Sequence, residues 1–327
     1  MFRYVLRRLG IALITYFLAT ILIFCIIQLP PGDFVDYMIS QMSNVASEGS
    51  MVDSLRSQYG LDQPMIIQYF KWVFGIVKGD FGFSFLYNTP VLQLLKSEIL
   101  WTLVITGVSF AIAWGIGILI GVFSATHKYS LLDNVFTFLG VAGLSIPPFF
   151  VAILLIYWSI TSGYGISGGL FSNEFANAAW SLAKFQDLLR HIWIPILAVI
   201  ISNITEVMRV TRTSMIEVMA QPYIVTARAK GLRESQVIRR HAMRLAMNPL
   251  ISMAGLMAPK LLNGIIMTAI VLNLPVMGPT FIRALKSQDV YLAGAYLILM
   301  VIFLIIGNLL ADIALAWSDP RIRLTSD

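Results

Sequence analysis

Apolar runs long enough to cross a membrane alternate with polar segments along this chain. The first follows the basic start Arg3, Arg7, Arg8 and extends from Leu9 to Leu29. At about 21 residues it spans about 30 Å as a helix, the thickness of a bilayer's hydrocarbon. No small-residue cleavage site ends it, so it reads as a retained first helix and not as a signal peptide. Five further runs follow: within Ile99–Thr126, within Asn134 to about Ile160, from near His191, from about Leu250 to Leu274, and from Val290 to Ala311. The fourth becomes charged at Glu206 and Arg209, and the fifth contains Lys260. The pattern predicts an all-α polytopic membrane protein with six transmembrane helices. Its divisions are an N-terminal segment and first helix over 1–30, an external segment over 31–98, a five-helix core over 99–315 with a polar loop at 209–247, and a tail over 316–327.

Composition supports the bilayer as solvent. Hydrophobic residues make up 58% of the 327 positions, charged residues only 12%, and mean hydropathy is +0.80. That leaves too few charges to solvate a globular surface. The net charge of +6 does not point to nucleic acid, because the basic residues lie beside apolar runs. With the N-terminus inside, the inner segments 1–8, 127–133, 209–247 and 316–327 hold 14 lysines and arginines in 66 positions, against 8 in 113 outside. This bias predicts that both termini are cytoplasmic. The single cysteine, Cys25, lies in an apolar run and excludes an internal disulfide framework.

Outside, Gly60-Leu61-Asp62-Gln63-Pro64 reads as a turn before an amphipathic stretch from Met65 to Val77. Tyr69, Trp72 and Phe74 make that stretch an interfacial helix with aromatic anchors. The segment from Thr161 to Arg190, with Gly-Ser turns and Trp180, reads as a small external cap.

The most informative polar segment lies between the fourth and fifth spans, from Glu217 to Leu250. Pro222 suits the first turn of a helix and Gly231 its C-terminal cap. Tyr223 to Lys230 between them makes about two turns, and a second helix begins near Glu234 and continues toward Asn248-Pro249. A short helix held crosswise under the membrane, with small residues on its surface, suits the groove of a partner protein. Binding of anionic lipid is the plainer alternative for a basic loop.

The residue order in this loop resembles that of ATP-binding-cassette importer permeases. Their loop carries Glu-Ala-Ala, three residues, Gly, and a later proline. Here Val225-Thr226-Ala227 fills the triplet, followed by Arg228, Ala229, Lys230, Gly231 and, later, Pro249. The glutamate is absent, as in the dipeptide, oligopeptide and nickel branch, whose string Thr-Ala-Arg-Ala-Lys-Gly is present at Thr226 to Gly231. Four more islands are similar to that branch: Leu29-Pro30-Pro31-Gly32-Asp33, Gly79 to Ser84 with Pro90-Val91, Ser145-Ile146-Pro147-Pro148-Phe149, and Asp319-Pro320-Arg321-Ile322-Arg323. Phe34 stands where proline is common.

The resemblance implies a type I importer permease fold in a bacterial or archaeal inner membrane. It also implies a second, similar permease subunit, two ATPase subunits that consume ATP with magnesium, and an extracytoplasmic substrate-binding protein. Tyr223, Thr226, Ala227, Arg228, Ala229, Lys230, Gly231 and Pro249 are then the expected ATPase-coupling residues. The branch points to di- or oligopeptides as cargo. The long 161–190 segment and Phe34 keep oligosaccharides as the alternative, with nickel also carried within the branch.

Lys260, about ten residues into an apolar run, costs at least about 2.5 kcal/mol there, so it and the Pro147-Pro148 break are candidate pore or interface residues. Gly115, Gly117 and Gly121 offer small faces for close helix packing, and Asn308 and Asp312, one turn apart at the end of the last helix, read as helix-packing residues. No Walker loop, metal-ligand cluster or nucleophilic triad is present, so neither an enzyme nor a cofactor bound by this chain is expected. A secondary carrier would show duplicated halves and mid-membrane carboxylates, and a sensor would end in a soluble domain.

Overall fold

Helices satisfy their own backbone hydrogen bonds, which apolar surroundings demand, and helix dominates this chain. The computed structural model describes residues 2–41 and 49–318, with side chains described for 6–41, 52–255 and 265–315. In order the helices are α1 (Phe2–Gln28), α2 (Phe34–Gln41), α3 (Gly49–Tyr59), α4 (Met65–Val77), α5 (Val91–Thr126), α6 (Leu131–Ser145), α7 (Pro148–Thr161) and α8 (Leu182–Met219). They continue as α9 (Pro222–Ala229), α10 (Glu234–Gln236), a π-helical stretch Val237–Ala242, α11 (Met243–Ala246), α12 (Asn248–Val271), α13 (Met277–Lys286) and α14 (Val290–Ser318). A two-residue antiparallel pair, β1 (Phe83–Ser84) with β2 (Thr89–Pro90), precedes α5.

Among the described residues, four helices are long and apolar enough to cross a membrane: α1, α5, α8 and α14. Helices α6 and α7 qualify together as a fifth, bent by 97° at the break between them. The cause is local. A residue before proline is pushed out of the helical region, and Ile146 (ψ 121°) and Pro147 (ψ 140°), each followed by proline, are both extended. The third apolar run is therefore two helices, not one. Two other runs start earlier than expected: α5 at Val91 instead of Ile99, and α8 at Leu182 instead of near His191. At 36 and 38 residues these two helices measure about 54 and 57 Å, well beyond hydrocarbon thickness.

The chain divides into two compact units. One takes its described residues from Gly10–Thr102 and Pro275–Phe303, the other from Met1–Leu9, Leu103–Leu274 and Leu304–Asp327. The first holds α2, α3 and α4; α4 has the bounds expected for the amphipathic stretch, whereas the sequence pattern does not predict α2 and α3. Arg56 of α3 clamps Asp33 and Asp36 at the head of α2, at 2.8 and 2.7 Å. Asp289, fully buried, does two things at once. Its Oδ1 accepts the Leu292 amide (3.1 Å) and caps α14, while Oδ2 accepts Ser84 Oγ (2.6 Å) and the Leu86 amide (3.1 Å) to hold the β-pair. Burial pushes the Asp289 carboxyl upward, against the pull of those bonds.

In the second unit, α8 is the central element. Gly117 and Gly121 of α5 lie so close to it that a Cβ would come 2.9 Å from Val207 and 2.6 Å from Thr211. Gly140 and Gly143 of α6 make the same approach to Thr205 and Ile201, and Thr205 Oγ1 donates to the Gly140 carbonyl (3.1 Å). Gly115, expected on the same small face, has nothing within 4 Å of where its Cβ would be. Gly255 of α12 packs in the same way against Asn308 and Ala311 of α14.

Three contacts tie the ends of the second unit's helices together. Asp133, in the first turn of α6, forms a bidentate ion pair with Arg212 near the end of α8, at 3.0 and 2.9 Å. At the other end of these helices the Gly169 amide donates to the Leu272 carbonyl, just past α12 (2.6 Å). Arg8 of α1 pairs with Asp312 of α14 at 3.0 Å. The 161–181 connection folds over Lys184, whose Nζ donates to the Ala178 carbonyl (2.6 Å) and lies 4.8 and 5.5 Å from the ring centres of Phe171 and Trp180.

Candidate functional site

The loop between α8 and α12 is built around α9. Pro222 is its first helical residue, where the missing N–H leaves no bond unmade. At the other end the Gly231 amide donates to the Arg228 carbonyl (2.9 Å) and the Leu232 amide to the Ala227 carbonyl (3.4 Å). These two bonds are a Schellman motif, which requires a left-handed residue at its centre. Gly231 supplies it with φ +75°.

One face of α9 is anchored. Ile224 and Ala227, three residues apart and so on one side, are buried in a cluster with Ala125 of α5, Met215 of α8, and Val237, Ala242 and Ala246. This face packs α9 directly on the ends of α5 and α8. The opposite face is open: Tyr223, Val225, Thr226, Arg228, Ala229 and Lys230 are exposed, as are Gly231 and Leu232.

Arg228 folds back across the Gly231 turn onto Glu234, with bonds of 3.0 and 2.7 Å. The guanidinium holds the Glu234 carboxyl below its ordinary range. The second helix of the loop starts at Glu234 as predicted, but its middle, Val237–Ala242, widens into a π-helix. That insertion keeps Val237 and Ala242 in the buried cluster while Arg239, Arg240 and Arg244 stay exposed.

The predicted site residues fall into three places. Tyr223 to Gly231 form the α9 element. Pro249 opens α12, as an exposed residue in its first turn. Pro147 and Pro148 form the α6–α7 break. Lys260 lies within α12, but its side chain is outside the described residues, as is the whole Asp319–Arg323 island. Sequence reasoning missed Glu234 and the Asp133–Arg212 pair. The first follows Arg228 across a turn at a spacing no helix rule covers, and the second joins residues 79 apart. Among the described residues no group of three His, Cys, Asp or Glu side chains is placed to hold a metal.

Comparison with known proteins places this geometry. Residues 117–324 match the family described as binding-protein-dependent transport system inner membrane component, and residues 1–106 match its N-terminal companion. The chain belongs to this family. It is a multi-pass protein of the inner membrane and a permease of the ATP-binding-cassette importer type. The match begins in α5 and runs through the α9 loop, so the anchored helix lies inside the family's shared region. A candidate peptide permease protein of Brucella suis biovar 1 is 38% identical over 99% of this chain and 100% of its own length. The oligopeptide transport system permease protein of Bacillus subtilis is 33% identical over 98% and 99%, respectively. The dipeptide transport system permease protein of Lactococcus lactis subsp. cremoris is 32% identical over 99% and 100%.

Proposed function

We propose that this permease carries di- or oligopeptides inward as the transmembrane subunit of an ATP-driven, binding-protein-dependent importer. The cargo reading rests on the peptide, oligopeptide and dipeptide names of relatives that align along nearly the whole chain. The coupling reading rests on one observation: α9 is anchored by Ile224 and Ala227 to the ends of α5 and α8 while its outer face stays open. Its partners are a second, homologous permease subunit, two ATPase subunits and an extracytoplasmic binding protein. ATP with magnesium is used in the ATPases.

The topology proposed with this function has six spans and cytoplasmic termini. The Asp133–Arg212 pair supports it by putting the start of α6 at the loop end of α8, and the Gly169–Leu272 bond by putting the far side of α7 at the opposite end of α12. Both contacts favour reading α6–α7 as a broken span that crosses, with α12 as the sixth. The Arg8–Asp312 pair supports the topology by joining the first part of α1 to the last part of α14, and Gly255 against Asn308 by packing that part of α14 near the loop end of α12. The region 31–98 is then external, 209–247 faces the ATPases, and 316–327 is a cytoplasmic tail.

ATP-driven closure of the ATPases shifts α9. Because α9 is packed on α5 and α8, the shift favours the outward-open arrangement of the permease pair, a population change driven by differential contact.

The coupling role is tested at Ala229, whose methyl lies on the open face. Ala229→Trp leaves the anchored face untouched and fills the space a partner groove needs. Recovery of the two ATPases with the affinity-tagged permease is expected to fall about tenfold or more, with unchanged permease in the membrane. Recovery at the wild-type level contradicts the assignment.

A further inference from the structure

The helices α3 and α4, the segment around the β-pair and the start of α14 enclose two adjoining cavities within the first compact unit. Their volumes are about 420 and 320 Å³, and they share Gln58, Tyr59, Lys71, Trp72 and Tyr291 as lining residues. Both sizes suit a small organic ligand. The coupling loop belongs to the other unit, so this is a separate site.

The lining brings together opposite charges and aromatic walls. Lys71 borders both cavities; its Nζ donates to Gln63 Oε1 (2.6 Å), one of the three bonds an ammonium makes. Asp80 borders the larger cavity, and its Oδ1 accepts the Gly82 amide (2.9 Å), which fixes the carboxylate in place. Tyr59, Phe85 and Tyr291 form a continuous wall, with ring centres 4.7 and 5.4 Å apart. Trp72, 3% exposed, is seated against Gly294, where a Cβ would come 2.6 Å from its ring. Its indole Nε1 is buried without a hydrogen-bond partner. Glycine at 294 is thus what lets the indole occupy this position, and Gly82 admits the Tyr291 ring in the same way.

We infer that these cavities form an extracytoplasmic binding site for a free, zwitterionic dipeptide. Lys71 receives its carboxylate, Asp80 its ammonium, and the Tyr59–Phe85–Tyr291 wall an apolar or aromatic side chain. A ligand with opposite charges at its two ends and a ring between them meets each of these groups, whereas a neutral sugar leaves both charges unused. The inference rests on the transport reading for placing the 31–98 region, which supplies Lys71, Asp80 and most of the lining, outside the membrane. It adds a peptide site on the permease itself.

The test uses the full-length permease in lipid nanodiscs, without ATPases or binding protein, and the dipeptide Ala-Phe with its N-acetyl and C-amide derivatives. Saturable binding of Ala-Phe is expected, about tenfold tighter than either derivative, as for loss of one charge-assisted bond. Lys71→Gln is expected to abolish the preference for acid over amide and leave the ammonium preference intact. Asp80→Asn is expected to do the reverse, and Lys71→Arg to behave as wild type. Both side chains are exposed, and an unchanged melting temperature establishes that the variants are folded. Absence of saturable binding, or preferences that survive both substitutions, overturns the inference. ATP-driven Ala-Phe uptake by the assembled wild-type transporter is measured in parallel. Uptake without these binding preferences sinks the site alone, and absence of uptake sinks the transport reading independently.

Discussion

Replacement of Gly231 by proline is expected to reduce ATP-driven peptide uptake to the level seen without ATP, with the permease still inserted. Proline fixes φ near −65°, and the Schellman turn after α9 holds this residue at +75°. Proline also lacks the N–H that bonds the Arg228 carbonyl at 2.9 Å. The combined cost matches that of proline inside a helix, about 3 kcal/mol or more. It falls on the turn that sets α9 against α10, not on the spans, so membrane insertion persists while the Arg228–Glu234 clamp opens. Gly231→Ala, which keeps the N–H and meets only the left-handed penalty of about 1–2 kcal/mol, is expected to retain partial uptake. No side chain lies within 4 Å of a Cβ at this position, so sterics do not confuse the comparison. Proline at 231 with uptake equal to wild type would remove the turn from the mechanism.

The second large effect is on stability. Arg212→Met leaves the Asp133 carboxylate, 1% exposed, with the Tyr129 amide but without its guanidinium. Loss of one partner of a buried ion pair costs about 3–5 kcal/mol, while replacement of both by apolar groups is nearly neutral. Arg212 keeps 27% of its side-chain exposure, which sets the expectation at the lower end, about 3 kcal/mol. Asp133→Leu combined with Arg212→Met is expected to recover most of the loss. Thermal unfolding of the detergent-solubilised variants, followed by tryptophan fluorescence, measures both. Equal losses in the single and double variants would mean that the pair does not fasten α6 to α8.

These two residues also mark what the amino-acid order revealed and what it concealed. Gly231 was legible because a helix stop is a local event: a proline opens the element, nine residues later a glycine closes it, and neither needs a tertiary partner. The bounds of α4 were legible for the same reason, set by Pro64 and by an amphipathic period. The Asp133–Arg212 pair was not, because its members are separated by 79 positions and only the packing of α6 on α8 brings them together. Hydropathy located the apolar cores of α5 and α8 but not their early starts, since Lys96 and Glu98 in α5 and Lys184, Asp187 and Arg190 in α8 interrupt their opening turns. The prolines announced a break between α6 and α7, while its 97° size depends on two successive extended residues. Of the coupling element, the string Thr226 to Gly231 gave the position. Which residues face inward emerged only with the cluster of Ile224 and Ala227 on Ala125 and Met215.

The most direct test of the whole account is peptide uptake by the reconstituted assembly. The permease, its partner permease and two ATPases are placed in liposomes with binding protein, radiolabelled Ala-Phe and ATP on their respective sides. Accumulation that requires both ATP and the binding protein, and that is lost with Gly231→Pro, is the predicted result. Accumulation indifferent to ATP, or full transport by the Gly231→Pro assembly, would contradict a permease driven through α9.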